Sequence, residues 1–136
     1  MQASIRTHIV AVTAGLVVGI VLQEILLSIF DLLNPAVNLN LAISGMAVDT
    51  AWVKWLFLGW WVGGFTAGMM SSMISRSLTT GCIAGVLLML SALILAHYAF
   101  DSAETAALFT INPLIAAALG SWLAGRLLLT ANKPSK

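Results

Sequence analysis

Four long apolar stretches, each expected to cross a bilayer, occupy most of this chain's 136 residues. They run His8–Phe30, Ala51–Ile74, Leu78–Phe100 and Ala106–Leu129. A hydrocarbon core of ~30 Å requires about 20 helical residues at ~1.5 Å rise each, and every stretch meets that length. Little chain is left from which to build a water-soluble core. Charged residues make up 8% of the sequence against 60% hydrophobic, where a soluble domain carries about 25% charged. The expected fold is all-α: one integral membrane domain, residues 1–136, folded as a four-helix bundle.

The distribution of charge sets the expected orientation. Arg6, Arg76, Arg126, Lys133 and Lys136 lie beside one set of helix ends, whereas Asp31, Asp49, Asp101 and Glu104 lie beside the other. Lys54 is the one basic residue on the acidic side. Positively charged loops are retained in the cytoplasm, which predicts that both termini and the Arg76 turn face inward. The first apolar run exceeds the ~7–15 residues of a secretory leader and lacks a small-residue cleavage site, so it reads as a retained anchor. The single cysteine, Cys82, has no intrachain partner for a disulfide and reads as a small packing residue.

The connections are unequal. Ser75-Arg76-Ser77 makes a tight turn between spans two and three, and Asp101–Thr105 a short acidic loop between spans three and four. The segment from Asp31 to Thr50 is longer and half apolar, with Asn34-Pro35 ending the first helix, and is expected to lie on the membrane surface. Short connections imply antiparallel neighbours. The two halves also resemble each other. Thr13-Ala14-Gly15 with Gly19-Ile20 and Leu22 matches Thr79-Thr80-Gly81 with Gly85-Val86 and Leu88. Gly63-Gly64-Phe65-Thr66-Ala67-Gly68 matches Gly120-Ser121-Trp122-Leu123-Ala124-Gly125, which sets Arg76 opposite Lys133. Two parallel helical hairpins would produce this pattern; so would the ordinary abundance of Gly and Ala in membrane helices.

Every span carries small residues four apart: Gly15/Gly19, Gly64/Gly68, Gly81/Gly85 and Ala116/Gly120/Ala124. Lipid is as apolar as leucine, so membrane helices associate through close backbone approach, which small residues permit. These positions are the expected helix-packing sites, within one bundle or between copies. Leu56 is expected on the lipid side.

Glu24 and Lys54 form the expected intramembrane ion pair. Glu24 sits about 24 Å up the first span, and Lys54 enters the second span about one turn below the same boundary. An uncompensated charge at a helix centre costs at least ~2.5 kcal/mol, so pairing is favoured. At 100° per residue Glu24 shares a face with Thr13 and Val17, nearly opposite Gly15 and Gly19. Trp52, Trp55, Trp60, Trp61, Tyr98 and Phe100 gather at one membrane level as an aromatic belt. His8 and His97 fall at opposite faces and cannot hold one haem; His97 and Asp101 are spaced for a local hydrogen bond. Met69, Met70 and Met73 read as adaptable packing residues. No paired carboxylates lie within the membrane, Asp101 and Glu104 share a solvated outer loop, and there are no metal-spaced ligands or phosphate loop, so no catalytic residue, metal or cofactor is assigned.

Ala14-Gly15 with Gly19 and Glu24, Gly63-Gly64 with Ala67-Gly68 leading to Arg76, and Asn112-Pro113 with Leu119-Gly120 and Leu123-Ala124 give the chain its resemblance. It resembles a loose group of small bacterial four-span membrane proteins of unassigned function. The resemblance covers the spans but not the first loop, and implies a fold and an inner-membrane location without an activity. The place of Glu24 is also similar to that of the essential glutamate in small multidrug transporters, although that one lies deeper and the rest of the chain departs from that family. The leading expectation is a non-enzymatic subunit, accessory or assembly factor of a membrane complex, bedded in lipid and without nucleic-acid partners. The alternative is a small homo-oligomeric transporter or channel with Glu24 as coupling residue.

Overall fold

The computed structural model describes residues 4–33, 50–100 and 103–131. Within them the chain is all-helical: α1 (Ile5–Leu33), α2 (Thr50–Ser75), α3 (Leu78–Ala99) and α4 (Ala103–Ala131). The expected surface loop, Tyr98's side chain and the His97–Asp101 contact lie outside the described residues or rest on them in part. The expected stop of the first helix at Asn34-Pro35 lies outside the described residues. Pro113 sits inside α4. It withholds one backbone donor there.

α2 is the central helix, packed along α1 on one side and α4 on the other, with α3 lying chiefly on α4 and partly on α2. His8 of α1 reaches Thr80 of α3, and Leu78 of α3 lies beside Gly125 of α4. The start of α1, the α2–α3 turn and the end of α4 are therefore together at one end, called here the turn end. The opposite end, where α1 and α3 finish, is the loop end.

Three helices are long and apolar enough to cross a membrane: α1, Leu78–His97 of α3 and Ala103–Thr130 of α4. The expected fourth, Ala51–Ile74, lies in α2 and is not among them. Its central position explains why: a helix covered on three sides presents Gly, Ser and Trp to its neighbours rather than a leucine-rich surface to lipid. The distribution of polarity is inverted relative to a soluble bundle. Ser71, Ser72, Thr80 and Ser121 are buried, whereas Ile9, Val17, Leu93, Ile94, Leu108 and Ile115 are exposed. Contiguous exposed apolar surface of this kind is rare on soluble monomers.

Candidate functional site

The turn half of the bundle is held by backbones in near contact. A methyl group at Gly19 would stand 2.5 Å from the carbonyl oxygen of Gly63 and 2.9 Å from the Ala67 methyl. At Gly64 it would meet the Pro113 carbonyl at 2.5 Å, and at Gly68 the Ala117 Cα at 2.6 Å. Gly15 and Gly81 are blocked by the hydroxyls of Ser71 and Ser121 respectively, Gly85 by the Ala117 methyl at 2.6 Å, and Gly120 by the Phe65 carbonyl. Ala124 is fully buried. Each position therefore lies at a helix–helix contact with no room for a larger side chain. Gly59, towards the loop end, differs: its nearest neighbour would be Gln23 Cγ at an ordinary 3.6 Å.

Hydroxyls fill the spaces that glycine leaves. Ser121 donates to the carbonyl of Ala117 at 2.7 Å and lies 3.3 Å from that of Gly68, bridging α4 to α2. Ser75 donates to the Ser71 carbonyl at 2.7 Å, and its oxygen accepts from the Ser77 amide at 3.2 Å. His8 Nδ1 and Thr80 Oγ1 share a hydrogen bond of 2.7 Å between α1 and α3. The hydroxyls of Ser71 and Ser72 are buried without a hydrogen-bond partner. Each lies against a glycine, Ser71 on Gly15 and Ser72 on Gly81, in position for a weak Cα–H···O contact. A buried hydroxyl left otherwise unpaired costs ~1–3 kcal/mol, so this half of the core is polar and incompletely satisfied.

These contacts relate the two halves in a register other than the expected one. Gly15 meets Ser71 as Gly81 meets Ser121, and Gly19 meets Ala67 as Gly85 meets Ala117. The α1/α3 correspondence matches the sequence alignment. The α2/α4 correspondence does not: the equivalent pairs are Ala67 with Ala117, Ser71 with Ser121 and Arg76 with Arg126, rather than Arg76 with Lys133. Shared Gly-Ala spacing had favoured the wrong register. The two serine–arginine pairs were the available signal.

The loop half is packed by rings. Phe109 is fully buried and receives the edges of Phe57 and Trp60 at 5.3 and 5.5 Å, with Phe100 at 5.1 Å. Phe30 packs on Trp55 at 5.5 Å. Trp60 is thus a core residue with a buried, unpartnered Nε1, not part of a lipid-facing belt. Only one face of α2 faces outward here, and Trp61, stacked on Phe65, occupies it. Leu56, expected on the lipid side, is buried at 3% exposure, and Leu58 is exposed instead. Asn112 donates to the Phe57 carbonyl at 2.8 Å, tying α4 to α2 one residue before Pro113.

The expected charge pair is not brought together. Glu24 and Lys54 are both exposed, and no ion pair joins them among the described residues. The antiparallel register explains this. Gln23 lies against Gly59 and Gly63, and Phe30 against Trp55, so Lys54 is level with Asp31, about 10 Å of helical rise beyond Glu24. Glu24 stands on the side of α1 away from Gly15 and Gly19, together with Thr13 and Val17. It lines a shallow groove with Ile20, Val21, Ile25, Ser28 and Ile29. It is the one charged residue in that groove.

At the turn end, Arg76 adopts a left-handed backbone conformation, φ 54°, uncommon for a residue with a Cβ. This reverses the chain between α2 and α3. Ser77 is the N-cap of α3 with extended backbone but makes no side-chain capping bond. Arg126 lies over the Trp122 ring at 5.2 Å. No cluster of three metal-ligating side chains occurs among the described residues. No family model, curated protein sequence or solved structure matches this chain.

Proposed function

We propose that this chain is a non-enzymatic integral protein of a bacterial inner membrane, acting as a small subunit, accessory or assembly factor of a larger membrane complex. α2 is the fourth span, shielded from lipid by its neighbours, and both termini are cytoplasmic, as the concentration of Arg at the turn end favours. The observation that carries this reading is Glu24. α1 is 29 residues long, about 43 Å, and Glu24 stands about 14 Å short of its last residue. A helix centred on a ~30 Å hydrocarbon core holds that carboxylate about 7 Å inside it. An intramembrane carboxylate without compensation is costly. A partner that supplies a cation or hydrogen-bond donor to the Ile20–Ile29 groove removes that cost.

The same carboxylate supports one alternative, a homo-oligomeric transporter or channel in which Glu24 takes up a coupling proton or cation. Affinity purification of the tagged chain in mild detergent separates the two. The expected result is a fixed second protein that co-purifies with the parent and is lost with Glu24→Gln. Purification of a homo-oligomer alone, with a proton-coupled flux in liposomes abolished by Glu24→Gln, would establish the transporter instead.

A further inference from the structure

The turn end holds a cleft of about 280 Å³ between the end of α2, the start of α3 and the end of α4. Its walls differ in character. Ser72, Arg76 and Ser77 line one side, and Leu78, Leu128 and Leu129 the other. No acidic residue lines it.

Arg76 and the start of α3 therefore border one side of an otherwise apolar slot. Arg76, at the turn with its left-handed backbone, supplies the one cationic residue of the lining. The first turn of α3 has amides that no side chain caps, since the Ser77 hydroxyl makes no capping bond; helix N-termini favour anions. Ser72 forms the inner wall. Its hydroxyl is buried behind that wall against Gly81, without a hydrogen-bond partner. The leucines opposite offer nothing to a hydrated anion but suit methylene groups.

We propose that this cleft binds one anionic phospholipid, its phosphate held by Arg76, Ser77 and the start of α3 beside Ser72, and its first acyl methylenes against Leu78, Leu128 and Leu129. Basic pockets between membrane helices are suited to such head groups. A soluble phosphate compound would satisfy the donors but leave the leucine wall exposed to water. The proposal rests on the membrane reading given above, not on the identity of any protein partner.

Native mass spectrometry of the intact chain in mild detergent tests it, with phosphatidylglycerol and phosphatidylcholine offered separately. The parent is expected to retain one phosphatidylglycerol in preference to phosphatidylcholine. Arg76→Gly is the informative variant: glycine suits a positive φ, so the turn survives while the cation is lost. Retention of phosphatidylglycerol should fall about fivefold, the effect of removing one basic group from an anionic head group. Arg126→Gln, outside the cleft, should leave retention unchanged. Equal loss in both arginine variants, or equal retention of the two lipids by the parent, overturns the proposal. Displacement of the lipid by millimolar inorganic phosphate assigns the cleft to a soluble anion and also overturns it. A chain that stays soluble without detergent and retains neither lipid refutes the membrane reading itself. An absent protein partner leaves lipid retention as it was.

Discussion

The two ends of this bundle solve one packing problem by opposite means. In the turn half, helices close on glycine and alanine, and backbone carbonyls stand where side chains would otherwise be. In the loop half they are held apart and the space is filled by Phe30, Trp60, Phe109 and their neighbours. α2 runs through both regimes, with Gly68 in one and Gly59 in the other. The consequence is different tolerance. Rings adjust by rotating, and a lost ring leaves a cavity. Backbone against backbone has no rotamer to change, so an added methyl must move a helix. The close-packed half also shelters hydroxyls that have few partners, which places its polar chemistry beside the Arg76 cleft and not among the aromatics.

The largest effect should come from the ring-packed half. Phe109→Ala removes the residue that three other rings contact and should cost about 3 kcal/mol or more. Thermal unfolding in detergent measures it, and a loss below that of Leu58→Ala, at an exposed position, would remove the distinction between core and surface. Next, the two α2 glycines compare the halves directly. Gly68→Ala should cost about 2 kcal/mol because its methyl meets the Ala117 backbone. Gly59→Ala should be neutral or stabilising by up to about 1 kcal/mol through helix propensity, its methyl having room. Equal melting shifts for the two variants would break the comparison. The smallest effect concerns charge. A double-mutant cycle on Glu24→Gln and Lys54→Met should return a coupling below about 0.5 kcal/mol, as expected of sites without contact. A coupling of several times that size would show that the two side chains meet.

Much of the fold was legible because its physical cause is local. The helix positions and the reversal at Ser75-Arg76-Ser77 follow from hydropathy runs and the polar break between them. The outward direction of Glu24 relative to Gly15 and Gly19 followed from helical periodicity alone. The burial of Leu56 did not. Periodicity gives a residue's angle about its own helix, but whether that angle meets lipid or another helix depends on how many neighbours the helix has. α2 has three. The same ignorance made Trp60 look like an interface anchor and α2 look like an ordinary span.

By itself, then, the sequence determined where the helices run, which faces carry glycine and that a large apolar surface must be covered. Each of these depends on residues within a few turns of one another. Only the tertiary structure decided that α2 is central, that Lys54 is level with Asp31 instead of Glu24, and that Ser71 corresponds to Ser121. It also decided that Ser72, Arg76 and three leucines border one cleft. Those relations depend on the axial register between helices, which is set by which carbonyl finds which glycine across an interface. Small residues spaced four apart permit several such registers. Packing selects one.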